Sequence, residues 1–98
     1  MNQVDPLVIH LLRRMARERS FIANMVRELL HRDVSSGFHP IEVLNSFRQA
    51  FGLTLAQAKP ITDWLAYGGG DKADADLHTL VWPCLEANRD FWEREGLP

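Results

Sequence analysis

The chain has one cysteine, Cys84, so no internal disulfide can form. A lone thiol suits a reducing compartment. No apolar run approaches the ~20 residues that a membrane-spanning helix needs. The segment Met1-Asn2-Gln3-Val4-Asp5-Pro6 lacks both a basic stretch and an uninterrupted apolar one, unlike a secretion signal. These absences lead to the expectation of a cytoplasmic protein with no membrane segment. Also missing are strand-period alternation, an internal repeat and any low-complexity stretch beyond Gly68-Gly69-Gly70.

Reaction chemistry is missing too. The four histidines, His10, His31, His39 and His78, form no pair at helical metal-ligand spacing, and a zinc site needs three or four converging ligands. Cys84 lies six residues from His78 with a proline between them, which does not pair a nucleophile with a base. Its place on an apolar stripe reads as a packed thiol. The three glycines lack the lysine and Ser/Thr of a phosphate loop and are followed by Asp71, Asp74 and Asp76, which repel phosphate. A calcium loop starting at Asp71 would need glycine where Asp76 stands and a bidentate glutamate where Trp82 stands. The expectation is a protein that is not an enzyme, with no cofactor and no metal.

What is present is an ordinary globular composition, 46% hydrophobic and 24% charged over 98 residues. That length supports one domain, 1–98, with its own core. The clearest local signal runs from Phe47 to Trp64. Gly52 can take the left-handed conformation that ends a helix. Thr54 can cap the next one, with Gln57 three residues on to complete a capping box.

Other helices follow from spacing. Asp5-Pro6 opens the first. Val8, Leu12, Met15, Ile22, Met25, Val26 and Leu29 then keep one stripe in phase, which favours a single long helix over 6–32; a break near 19–20, with Ser20 capping a second helix, is the alternative. Ser35-Ser36-Gly37 should end it. Pro40 starts the next helix, with His39 as a mediocre cap, and Ile41, Leu44, Phe47 and Phe51 facing inward. In the helix after Thr54, Pro60 implies a kink or a restart, and the glycines stop it. Residues 71–74 read as a linker, with Asp71 or Asp74 capping the last helix. There Leu77, Leu80, Val81, Cys84 and Phe91 share a side, widened by Trp82, Leu85 and Trp92; Pro83 should kink it and Gly96 should end it. The expected fold is all-α, a compact bundle of four to five helices with a long N-terminal helix and a kinked C-terminal one.

Charge divides the chain. Residues 1–50 carry seven arginines against five acids, while residues 51–98 carry four basic residues against eight acids. The basic cluster is Arg13, Arg14, Arg17 and Arg19. Glu18 interrupts it and no recognition-helix or RNA-module signature accompanies it, so it reads first as a solvated helix face. The acids, Asp63, Asp71, Asp74, Asp76, Glu86, Asp90, Glu93 and Glu95, stand near Trp64, Tyr67, Trp82 and Trp92. Acidic surfaces with aromatic anchors bind basic partners, by steering and then by buried contact; plain solubility is the simpler account.

The spacing Phe47-x-x-Ala50-Phe51-x-Leu53-x-Leu55-x-x-Ala58-Lys59-Pro60-Ile61-x-x-Trp64, followed by an acidic loop and a final helix, resembles small bacterial immunity proteins of polymorphic toxin systems. The resemblance implies a cytoplasmic binder that neutralises one cognate toxin. The expected function is therefore a protein-binding inhibitor that occludes the active site of a toxin domain with a basic surface. The candidate partner-binding residues are Trp64, Tyr67, Asp71, Asp74, Asp76, Glu86, Asp90 and Trp92. The alternative is a small nucleic-acid-associated regulator using the arginine-rich face of helix 1.

Overall fold

Two junctions organise the molecule, and each joins one helix to the next through a single left-handed residue. A computed structural model describes residues 5–32, 40–68 and 70–93. Among them are six helices and no strand: α1 (Pro6–Arg17), α2 (Ile22–Arg32), α3 (Pro40–Phe51), α4 (Leu55–Tyr67), α5 (Asp71–Ala87) and α6 (Arg89–Glu93). The all-α bundle expected from periodicity is what is seen. The expected stop at residues 35–37, the His39 cap and the Gly96 terminus lie outside the described residues.

The first helix starts as its sequence directs, with the Asp5 carboxylate accepting the Leu7 N–H at 2.9 Å and Pro6 opening the first turn. It does not continue to residue 32, and the break falls at the alternative position. Arg19 adopts φ +61°, its N–H donates to the Ala16 carbonyl, and the Ser20 N–H donates to the Met15 carbonyl. That pair of bonds is a Schellman turn, with arginine where glycine usually sits. The apolar stripe stays in phase across the break, because Leu12, Ile22, Met25, Val26 and Leu29 are all buried. In-phase apolar residues thus testify to a shared core and not to one continuous helix.

The second junction matches its sequence closely. Gly52 takes φ +67°, and the Gly52 and Leu53 N–H groups both donate to the Arg48 carbonyl. Thr54 then caps α4: its hydroxyl accepts the Gln57 N–H at 3.1 Å, and the Gln57 side chain accepts the Thr54 N–H at 2.9 Å. α4 runs unbroken through Pro60 to Tyr67. Proline leaves the Ala56 carbonyl without a helical donor, and Ala56 is exposed, where water serves instead. Gly68, at φ +84°, ends the helix.

Residues 71–74 are not a linker; they are the first turn of α5, which follows Gly70 directly. Neither Asp71 nor Asp74 stands before the helix as its cap. Asp74 instead reaches back from inside the first turn toward the Gly70 N–H at 3.4 Å. α5 passes Pro83 without a break, and the chain turns at Asn88. There the Asn88 side-chain amide donates to the carbonyls of Phe51 and Gly52, at 2.9 and 3.1 Å. This redirects α6 so that Trp92 enters the core.

The core joins Leu12, Ile22, Met25, Val26, Leu29, Val43, Phe47, Phe51, Ile61, Leu77, Val81, Leu85 and Trp92. α3 packs against α1, α4 and α6, and α5 packs against α2 and α4. Phe51 meets Trp92 edge-on, 5.6 Å between ring centroids, and the Trp92 indole N–H donates to the Leu85 carbonyl at 2.8 Å. Three residues expected to face inward are exposed instead: Ile41, Leu80 and Phe91. On α5 the buried row is Leu77, Val81 and Leu85, an i, i+4 row, which leaves Leu80 and half-buried Cys84 beside it.

Candidate functional site

α4 and α5 are joined by a short turn and run side by side. Between them lies an open groove of about 250 Å³, with Pro60, Trp64 and Leu77 among its walls and Asp63, Tyr67, Asp76 and Leu80 at its edges. A carboxylate comes from each helix: Asp63 from α4 and Asp76 from α5. Both are exposed, and neither forms an ion pair or hydrogen bond among the described residues. Tyr67 is 88% exposed, far more than an aromatic ring with a packing role.

The groove wall is held by a polar triad from three helices. The Trp64 indole N–H donates to Asp74 at 2.9 Å, and Arg27 of α2 donates to the same carboxylate at 2.7 Å. The Arg27 guanidinium also stands over the Trp64 ring, 5.2 Å from its centroid. The bond from Arg27 holds the Asp74 carboxyl below its ordinary value of 3.8, opposed by burial and supported by the Trp64 and Gly70 N–H groups. Trp64 is therefore fixed in orientation while its ring lines the groove.

The eight candidate residues separate into three groups. Trp64, Tyr67 and Asp76 come together at the groove. Asp74 stands behind it as support, bonded to Trp64, and is no free contact for a partner; Asp71 is exposed at the start of α5. Glu86, Asp90 and Trp92 belong to the other end of the molecule. Trp92 is completely buried, so it is a core residue and not a partner anchor. Glu86 is bound to Arg89, at 2.7 Å, and Glu93 holds the same arginine at 3.0 Å, so their charge is largely answered within the fold. Asp90 is exposed on α6, and Glu95 lies outside the described residues. The sequence reading missed Pro60, Asp63 and Leu80 as groove residues. The available signal was spacing: Pro60, Asp63, Trp64 and Tyr67 fall at i, i+3, i+4 and i+7 on α4, and Asp76 and Leu80 at i and i+4 on α5, so each set shares one helix face.

The basic cluster is divided. Arg13 is 3% exposed, and its Nε donates to the Ala50 carbonyl at 2.7 Å, with Nη2 reaching the Gln49 carbonyl at 3.4 Å. A guanidinium against the last carbonyls of α3 faces the negative end of that helix dipole, and the Phe91 ring covers it at 5.5 Å. Arg13 is thus not part of a solvated face; Arg14, Arg17 and Arg19 are exposed.

His78 is also committed to structure. Its Nδ1 accepts the Ile22 N–H at 3.2 Å, and its ring is stacked between Phe21, at 4.5 Å, and Trp82, at 5.3 Å. Burial pushes it below its ordinary value of 6.5. No cluster of three or more His, Cys, Asp or Glu suited to a metal ion occurs among the described residues. No helix there is long and apolar enough to cross a membrane. No protein-family model matches the chain, and neither the curated proteins nor the solved structures contain a significant match to it.

Proposed function

We propose that this protein acts by binding, as an inhibitor that covers the basic active site of a partner protein, and that it is an immunity protein for a bacterial toxin. The observation that supports this reading is the α4–α5 surface. Asp63, Asp71 and Asp76 are exposed there with no ion pair or side-chain hydrogen bond among the described residues, next to an 88% exposed tyrosine and an apolar groove. Unpaired acids steer a basic partner, and an aromatic beside a groove supplies the buried contact that holds it. Inhibition by occlusion needs no reactive group on the inhibitor. The nucleic-acid reading has less to rest on, since Arg13 is bonded inside the fold.

The test is genetic and then biochemical. Coexpression of this chain with the toxin domain encoded by the adjacent gene should restore growth to cells that the toxin alone kills. Asp71→Asn combined with Asp76→Asn should weaken rescue. Rescue should fail altogether with an unrelated toxin. Continued killing while both proteins are folded and soluble would sink the proposal.

A further inference from the structure

We propose that the α4–α5 groove is a socket for one arginine side chain of the partner; this rests on the protein-binding reading above and narrows it to a chemical group. Three features of the groove converge on that group. Its lining is mostly apolar, with Pro60, Trp64, Leu77 and Leu80 among its residues. It carries one carboxylate from each helix, Asp63 and Asp76, with no ion pair or hydrogen bond among the described residues. An aromatic ring, Tyr67, stands at its edge with most of its surface open to solvent.

An apolar side chain would fill the middle and leave two carboxylates beside it unanswered. A small cation would satisfy the carboxylates and leave the apolar walls wet. An arginine does both: its methylene stem lies along apolar surface while its planar head takes up carboxylates and stacks on aromatic rings. Lysine has a similar stem, but its point charge cannot bind in the same forked manner or stack as a plane. The wall is also preorganised. The ring of Trp64 is held by Asp74 and Arg27, so no rearrangement is needed on binding. Arg27 itself gives a precedent inside the fold, since its guanidinium already sits over Trp64 with a carboxylate beside it.

The probe is a capped Gly-Arg-Gly peptide, with the citrulline and lysine peptides as comparators, titrated into the full chain. Citrulline keeps the shape of arginine and removes its charge. The readout is the indole N–H resonance of Trp64 in a proton–nitrogen correlation spectrum, with that of buried Trp92 as internal reference. The arginine peptide should move the Trp64 resonance to saturation while Trp92 stays in place. Citrulline should give no saturable movement, and lysine should bind several-fold more weakly. Asp63→Asn and Asp76→Asn should each weaken arginine binding about tenfold, the loss of one charge-assisted bond. Both sites are exposed, and unchanged circular dichroism will show that the variants remain folded.

Equal movement by citrulline, equal affinity for lysine, or no saturation by arginine overturns the socket. These outcomes are separable from failure of the function proposed above. Toxin rescue that persists in a chain giving no arginine response removes the socket and leaves the inhibitor. A clear arginine response without toxin rescue removes the inhibitor and leaves the socket.

Discussion

The junctions at residues 15–25 and 48–58 have the same backbone design and different authors. Both end a helix at a left-handed residue, with a 6→1 bond from the residue after it, and begin the next helix three residues after the left-handed one; Arg19 itself bonds 5→2, to Ala16, and Gly52 bonds 5→1, to Arg48. At the second junction the turn and the new helix's cap are supplied locally: Gly52 takes the left-handed position, and Thr54 and Gln57 cap the new helix, while the carbonyls that end α3 are met by remote Arg13 and Asn88. At the first, Arg19 takes that position and Phe21 stands where Thr54 stands. Phenylalanine offers no side-chain acceptor. The cap comes from His78, 56 residues along the chain on α5. A helix start that lacks its own cap can therefore be completed by a neighbouring helix, which ties the two helices together.

The largest effect should come from breaking that borrowed cap. His78→Ala removes the acceptor of the Ile22 N–H and the middle ring of the Phe21–His78–Trp82 stack. Loss of a cap and of aromatic contacts should destabilise the fold by about 2 kcal/mol, read from denaturant unfolding. Burial of His78 also makes stability depend on pH, which a threonine cap does not. The unfolded histidine titrates near 6.5, and burial lowers that value in the folded chain. Between the two values the unfolded chain binds a proton that the folded chain refuses. The contribution of His78 is thus complete above pH 6.5 and is lost as pH falls through the lower folded value. His78→Asn, which does not titrate, should remove this slope from the stability profile. An unchanged slope would show that the cap is not what senses the proton.

Gly52→Ala attacks the other junction and should cost less, about 1.5 kcal/mol. Two causes add. A side chain at φ +67° is strained by roughly 1–2 kcal/mol, and a Cβ would stand 3.2 Å from Cδ2 of Phe91. Phe91 is half exposed and can shift, so the strain dominates. Thermal unfolding checks the loss, and a pH profile parallel to that of the unaltered protein would show that the two junctions fail independently.

The same contrast explains what could be read from the sequence. The second junction was legible because its causes lie within ten residues of one another, and Gly52, Thr54 and Gln57 each carry a known preference. The first was legible only as the alternative break near 19–20, with Ser20 as its cap; arginine gives no signal for a left-handed turn, and the acceptor that the structure supplies, His78, is remote. Arg13 was misread for a similar reason: nothing near it announces that the Gln49 and Ala50 carbonyls lie within its reach. The groove was half legible. Trp64, Tyr67 and Asp76 were expected to share one surface and do line one groove, but the same reasoning gathered in Trp92, which is core. Composition identifies aromatics and acids; only packing distinguishes Tyr67, turned out, from Trp92, turned in.

The smallest expected effect sharpens the comparison by reversing its sign. If the first junction is the same turn built with a poorer residue, Arg19→Gly should stabilise the protein. The exposed Arg19 side chain makes no ion pair or hydrogen bond among the described residues, so its removal sacrifices little. Glycine relieves the strain of φ +61°, worth roughly 1–2 kcal/mol. Against this, glycine increases the freedom of the unfolded chain, at roughly 0.5–1 kcal/mol. The balance is a gain of about 0.5 kcal/mol, or about 2–4 °C in Tm for a domain of this size. Gly52→Ala and Arg19→Gly thus remove and add a glycine at equivalent left-handed positions, with opposite outcomes. A lowered Tm for Arg19→Gly would mean that the arginine side chain itself stabilises the first junction, and the equivalence drawn from the backbone would not extend to its energetics.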